Sequence, residues 1–226
     1  MHIGLIGGIG VAATVVYYQK LTAAMAKRAK PLDLTIVQAE TSTLIANNTA
    51  DRREAQARVF APLIDRLKAA GAECAAITSL GGHFCFAETK ALSSLPLVSA
   101  ATPLDDYFAS QGLGTVGLLG TEVVMRTKLY GQLTRTRAVA IEDEIDQLGQ
   151  SYLDMAVAGR CSDAQRMLFL KAGQHLVDAH GADAVVLAGT DLNLAFDGQD
   201  PGYKVIDALD VHVDLLARLA ADEAML

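Results

Sequence analysis

Short apolar runs alternate along this chain with longer stretches whose apolar positions recur at helical spacing. HIGLIG (2–7), LTIVQA (34–39), CAAITS (74–79) and PLVSA (96–100) are continuous enough to be buried strands. TVGLLG (115–120), RAVAI (137–141), AVVLAG (184–189) and YKVID (203–207) follow in the second half. Between them, residues 12–29, 53–70, 122–133, 143–158, 162–180 and 208–223 predict helices. Strands that read as unbroken apolar runs, separated by helices, predict an α/β protein with parallel sheets flanked by helices.

The pattern also repeats. GLIG (4–7) returns as GLLG (117–120), and GAECAAITS (71–79) returns as GADAVVLAG (181–189). The two phrases are 67 residues apart in the first half and 64 in the second. Two pseudo-symmetric α/β lobes are therefore expected. The first is residues 1–100, with 208–226 packing back on it, and the second is 101–207. Ser79 and Gly189 then occupy equivalent places. Ligands of open α/β sheets bind outside the carboxyl ends of strands, so a cleft between facing lobes is the expected site.

Composition narrows the partners. The chain has 226 residues, 51% of them hydrophobic, a net charge of −7 and a pI near 5.2. That length supports a full core, and the acidity argues against a nucleic-acid surface. KRAK (27–30) is the longest basic run. No apolar stretch has the length of a membrane span, and MHIGLIGG enters a strand with no leader-like segment. Three cysteines without a CxxC pattern fit a reduced, cytoplasmic protein. His175 and His180, five residues apart on a helix, do not share a face, so no metal site is expected there.

Two stretches carry candidate chemistry. GGIGVAAT (7–14) follows a strand and opens a helix; Gly8, Gly10 and Ala13 fit G-x-G-x-x-A, with Glu40 at a second strand end. That pattern suits a dinucleotide, but the same turn suits any carboxylate at a helix start, and GTEVVM in the second half lacks it. AITSLGGHF (76–84) ends a strand on Ser79 with His83 four residues on. A serine hydroxyl needs a neighbouring base to act. His83 has the reference pKa for that task, or it is a hydrogen-bonded structural histidine beside Phe84. The acidic run EDEIDQ (142–147) reads as helix-start charge.

GLIGGIGVAATVVYYQKL (4–21), DRREAQARVFAPLIDRLKAAGAECAAITSLGGHF (51–84), GTEVVMRTKLYGQL (120–133), GADAVVLAGTDLNL (181–194) and VIDALDVHVDLL (205–216) together resemble the aspartate/glutamate racemase family. The resemblance spans the whole chain. It implies catalysis without pyridoxal phosphate or another cofactor, a small amino-acid or carboxylate ligand and, frequently, a homodimer. Members of that family carry a cysteine at each lobe's strand end, one to remove the α-proton and the other to return a proton on the opposite face. Here those positions are Ser79 and Gly189, so standard two-cysteine racemisation is not expected. His83 is retained; Asp191 replaces the usual glutamate and could hold Thr190 or a substrate amine, or cap the next helix. Cys85 lies beyond the strand end and Cys74 reads as core.

For substrate binding, the resemblance assigns Arg52 to a carboxylate, with Arg53 adjacent. The Gly8–Gly10 backbone and Thr190 are assigned to the α-carboxylate, and His212 to the site lining. An assisting lysine of some relatives falls near Val157. The expected activity is at the carbon beside a carboxylate, as a racemase-like or divergent isomerase or decarboxylase reaction. The alternative is a silent small-carboxylate binder.

Overall fold

All eight apolar runs form strands in the computed structural model, which describes residues 1–226. The chain divides into two units, Met1–Ala100 with Asp210–Leu226, and Ala101–Leu209. In the first, β1 (Ile3–Gly7), β2 (Leu34–Gln38), β3 (Cys74–Ile77) and β4 (Leu97–Val98) make a sheet ordered β2-β1-β3-β4. In the second, β5 (Thr115–Gly120), β6 (Arg137–Val139), β7 (Ala184–Ala188) and β8 (Val205–Asp207) are ordered β6-β5-β7-β8. Every pairing is parallel. β1, β3 and β7 are buried at every position, which is why their sequences show no polar alternation.

The two sheets share a register as well as an order. Ile3 pairs with Cys74 at the start of β1 and β3, and Val116 pairs with Ala184 in β5 and β7. Counting five residues on from Cys74 and from Ala184 reaches Ser79 and Gly189. The repeat thus places them at the same station of like-ordered sheets. Helix packing follows suit. A Cβ on Gly4 would lie 2.9 Å from Leu67 Cδ1, and one on Gly117 would lie 2.8 Å from Leu176 Cβ. Glycine is what lets α3 (Arg53–Ala69) and α8 (Asp163–His180) sit so close to their sheets.

In the first unit, α1 (Val11–Lys27) is fastened to α10 (Ala208–Ala220) by several polar links. Lys20 pairs with Asp210, Arg28 reaches Asp214 at 3.4 Å and Glu223 at 3.1 Å, and the Lys30 ammonium donates to the Ala221 carbonyl. These exposed pairs add orientation more than stability; the apolar α10 positions Leu209, Leu216 and Ala217 are fully buried.

Several helices depart from the pattern. Residues 122–133 form only α6 (Glu122–Arg126). Lys128, Leu129 and Tyr130 then adopt positive φ of 49°, 59° and 58°. The Thr127 hydroxyl donates to the Val123 carbonyl at 2.6 Å and accepts from the Tyr130 N–H at 3.0 Å, holding a turn that buries Leu129. Four short helices lack a sequence signal strong enough to predict them: α2 (Thr41–Thr49), α4 (Phe86–Leu92), α5 (Thr102–Ser110) and α9 (Asn193–Phe196). α7 (Ile145–Ala158) starts within the acidic run, with Asp146 in its first turn, as expected of charge at a helix start. At the end of α8 the His175 and His180 rings do meet, with centroids 5.4 Å apart and planes tilted by 53°.

Candidate functional site

At the first unit's strand end, backbone and side chains are packed without spare room. A Cβ on Gly8 would lie 2.2 Å from Ser79 Cβ, so only glycine lets the β1–α1 turn pass over Ser79. Gly10 caps the start of α1 in an extended conformation, with no side-chain bond. Below them the Thr78 hydroxyl donates to the Ile6 carbonyl at 3.2 Å and accepts from Thr14 at 2.9 Å. Ser79 Oγ accepts from the Gly82 N–H at 3.3 Å as the chain enters a 3₁₀ turn, Gly81–Cys85. Ser79 is 3% exposed.

His83 belongs to the same turn, but its ring faces the main chain. Nδ1–H donates to the Ser79 carbonyl at 2.8 Å, and Nε2 accepts from the Ala100 N–H at 3.0 Å. The acceptor role at Nε2 fixes the Nδ1–H tautomer. Burial lowers its pKa to about 4, against a smaller upward pull from the Ser79 carbonyl. The ring also stacks on Phe86 at 5.3 Å. Both nitrogens are thereby engaged in holding the Ser79 turn to the β4 exit, and neither touches Ser79 Oγ.

His212, on α10, is fully buried next to His83, ring centroids 6.4 Å apart. Its Nδ1 bonds the Tyr17 hydroxyl at 2.8 Å, while Nε2 has no partner of good geometry. Burial, then the neighbouring His83, lowers its pKa to about 3. Arg52 precedes α3, is exposed, and makes one long bond to the Ala46 carbonyl at 3.4 Å. Arg53 is instead committed to Asp51 at 2.7 Å, which leaves Arg52 the more available guanidinium.

The second unit's strand end has a different filling. Gly189 has no side chain, and the space a side chain would take is held by a ring: a Cβ there would lie 2.4 Å from Tyr152 Cε2. Tyr152 stands on α7, 1% exposed, and its hydroxyl donates to Asp191 Oδ2 at 3.2 Å. Burial first, then the Asp191 charge, raises the phenol pKa well above its usual value. Around the same strand end, Thr121, Thr190 and Asn193 are buried; the Thr190 hydroxyl lies against the Tyr152 phenol, while Thr121 Oγ1 and Asn193 Oδ1 lack hydrogen-bond partners. Buried polar atoms without partners are uncommon, and a bound ligand is one explanation of them. Sequence reasoning missed Tyr152, which reads as one more apolar position of its helix.

The remaining candidates have local roles. Glu40, weighed as a ribose acid, caps α2: it accepts from the Ser42 and Thr43 N–H groups at 3.0 and 2.6 Å. Bonds from Thr43, then Ser42, lower its pKa to about 2. Cys74 and Cys85 are buried, and burial pushes both thiols up to about 11. Val157 is 60% exposed. No three metal-binding side chains gather anywhere in the chain, and no helix is long and apolar enough to cross a membrane.

Two sheets of identical order, each with small polar groups at the carboxyl end of an inner strand, define a two-unit parallel α/β protein. The chain belongs to the Asp/Glu/Hydantoin racemase family, whose model matches residues 6–216. It is similar in fold to a Yersinia pestis protein assigned as an Asp/Glu racemase, at TM-score 0.81 and 22% identity, covering 98% of this chain and 100% of that one. It is also similar to Picrophilus torridus aspartate racemase, at TM-score 0.76 and 18% identity, covering 98% and 95%. Arylmalonate decarboxylase is a more distant likeness, at TM-score 0.52 and 13% identity, covering 97% and 92%. No curated protein sequence matches the chain.

Proposed function

We propose that this chain is a cofactor-independent enzyme that delivers a proton to the carbon beside a carboxylate in a small acid, and that it is not a two-thiol racemase. One observation carries this reading: neither strand end holds a free base. Ser79 Oγ has the Gly82 N–H for company and no side-chain base, His83 spends both nitrogens on the main chain, and position 189 is glycine. Racemisation needs one group to take a proton and another to give one. A reaction that makes its carbanion by another route, such as loss of carbon dioxide, needs only the donor.

The ligand chemistry follows the resemblance. Arg52 is the carboxylate clamp, its planar guanidinium suited to a bidentate grip. The Gly8–Gly10 backbone and the Thr190 hydroxyl receive the α-carboxylate. His83 acts as a positioning residue that fixes Ser79. His212 supports it from behind. A cytoplasmic homodimer is part of the proposal, and a chain that sediments as a monomer would remove that part.

The test is a panel of small amino, hydroxy and 2-substituted malonic acids in heavy water. Deuterium entering the α-position, with or without carbon dioxide release, is the expected result. Thermal stabilisation by carboxylates with neither event would sink the enzymatic reading. It would favour a silent binder, for which the partnerless buried Thr121 hydroxyl and Asn193 amide oxygen are the supporting observation.

A further inference from the structure

We propose that Tyr152 is the proton donor of the second unit's strand end, held in place by Asp191. This rests on the proton-delivery reading above.

The geometry is the first argument. Tyr152 comes from the middle of α7, yet its ring lies directly over Gly189, the first residue after β7. Cε2, Cζ and Cδ2 fall 2.4, 2.8 and 2.9 Å from where a Cβ at that residue would be. The hydroxyl-bearing edge of the ring therefore occupies the station where position 189 would present a side chain of its own. Register makes that station the mate of Ser79. It is also the carboxyl end of an inner parallel strand, where open α/β sheets take their ligands.

The second argument is the company the phenol keeps. A buried tyrosine needs a partner for its hydroxyl, and a neutral amide or carbonyl would serve. Here it is a buried carboxylate, Asp191 Oδ2 at 3.2 Å, from the loop that also carries Thr190. A titratable pair out of water at a strand end, with the Thr190 hydroxyl against the phenol and the unpartnered buried hydroxyl of Thr121 nearby, has the composition of a proton-transfer site. At rest the O–H points at the Asp191 carboxylate, so the hydroxyl turns from Asp191 to face the substrate's α-carbon when it donates. Burial and the same carboxylate keep the phenol protonated well past its usual range. Tyr152 therefore serves as a donor and not as a base.

The step balances as follows. When the substrate's α-carbon holds the electron pair of an enediolate, that pair forms a C–H bond with the Oη proton, and the O–H bond breaks. The negative charge passes to the phenolate. The Asp191 charge opposes that arrival, and the far greater basicity of the enediolate drives it. Water returns the proton to Oη as product leaves. The ligand class is a small carboxylic acid whose α-carbon becomes anionic.

The experiment compares wild type with Tyr152→Phe, which keeps the ring and removes only the hydroxyl. On any acid the wild type converts, kcat should fall about 10²–10⁴-fold, the usual contribution of a general acid. KM should change little, and the variant should still melt cooperatively above the assay temperature, with a lowered midpoint because buried Asp191 loses a donor. The wild-type rate should show no alkaline limb up to about pH 10, above which an ordinary tyrosine ionises. A Tyr152→Phe variant of full activity overturns the proposal. A readout without turnover runs beside this, using tyrosine labelled with ¹³C at Cζ: the resonance missing from Tyr152→Phe should move when malonate is added. A resonance unmoved by malonate overturns the proposal whether or not the enzyme is active. If the wild type converts no acid while that resonance moves, the proton-delivery function fails and Tyr152 is a ligand contact only, which overturns its donor role.

Discussion

The tightest test of this structure is at Gly189. Replacing it with alanine puts a methyl 2.4 Å from Tyr152 Cε2, where carbon atoms ordinarily meet at roughly 3.5–4.0 Å. The ring must retreat by about an ångström. It is fully packed on α7 and tied to Asp191 at 3.2 Å, so the retreat strains both. Overpacking of this kind costs about 1–3 kcal/mol. Tyr152→Ala alone removes a buried ring and costs about 3–5 kcal/mol. Combined, the two changes no longer collide, so their sum should overstate the double variant's loss by about 1–3 kcal/mol. Urea unfolding followed by far-UV circular dichroism measures this from the midpoints, provided the slope is unchanged. The two units can melt separately, and the transition that moves should be a single one. Gly189→Ala within about 0.5 kcal/mol of wild type, or a cycle additive within the same margin, would refute the packing.

The two buried histidines make a second prediction, in pH. Each has a folded pKa below its unfolded 6.5, about 4 for His83 and about 3 for His212. The unfolded chain therefore binds more protons between those values. Stability is fully present above about pH 6.5 and falls as pH drops toward 4 and below. At about 1.36 kcal/mol per unit, His83 alone contributes roughly 3 kcal/mol to that decline. His83→Gln should flatten the slope between pH 6.5 and 4.5, and an unaltered slope in urea melts at each pH would contradict it. The third concerns Gly8. Gly8→Ala should cost about 1–3 kcal/mol by forcing its methyl onto Ser79 Cβ, and adding Ser79→Gly should recover part of that loss. No recovery in thermal melts would mean that the clash lies elsewhere.

Most of the fold was legible because inner parallel strands are buried on both faces, and β1, β3, β5 and β7 read as plain apolar runs for that reason. The repeat was legible through glycines with a physical task, such as Gly4 and Gly117 under their helices. The helices that escaped are short, like TSTLIANNT in α2, where a capping carboxylate and tertiary packing supply what periodicity does not. The site was legible in part. Ser79 and His83 could be named from their place after a strand. That both His83 nitrogens go to the main chain depends on Ala100, seventeen residues away, and no local pattern records it.

Gly189 shows the boundary most clearly. In sequence it is a vacancy, a residue with nothing to offer a ligand. In space a glycine at a strand end admits whatever side chain approaches from another element, and here that is Tyr152 from a helix 37 residues earlier. Gly8 works the same way, yielding its volume to Ser79. A glycine at such a station therefore poses a definite question, namely which side chain stands in the space it leaves. The chemistry of each strand end belongs to that side chain, and it becomes visible only when the sheet and its flanking helix are assembled.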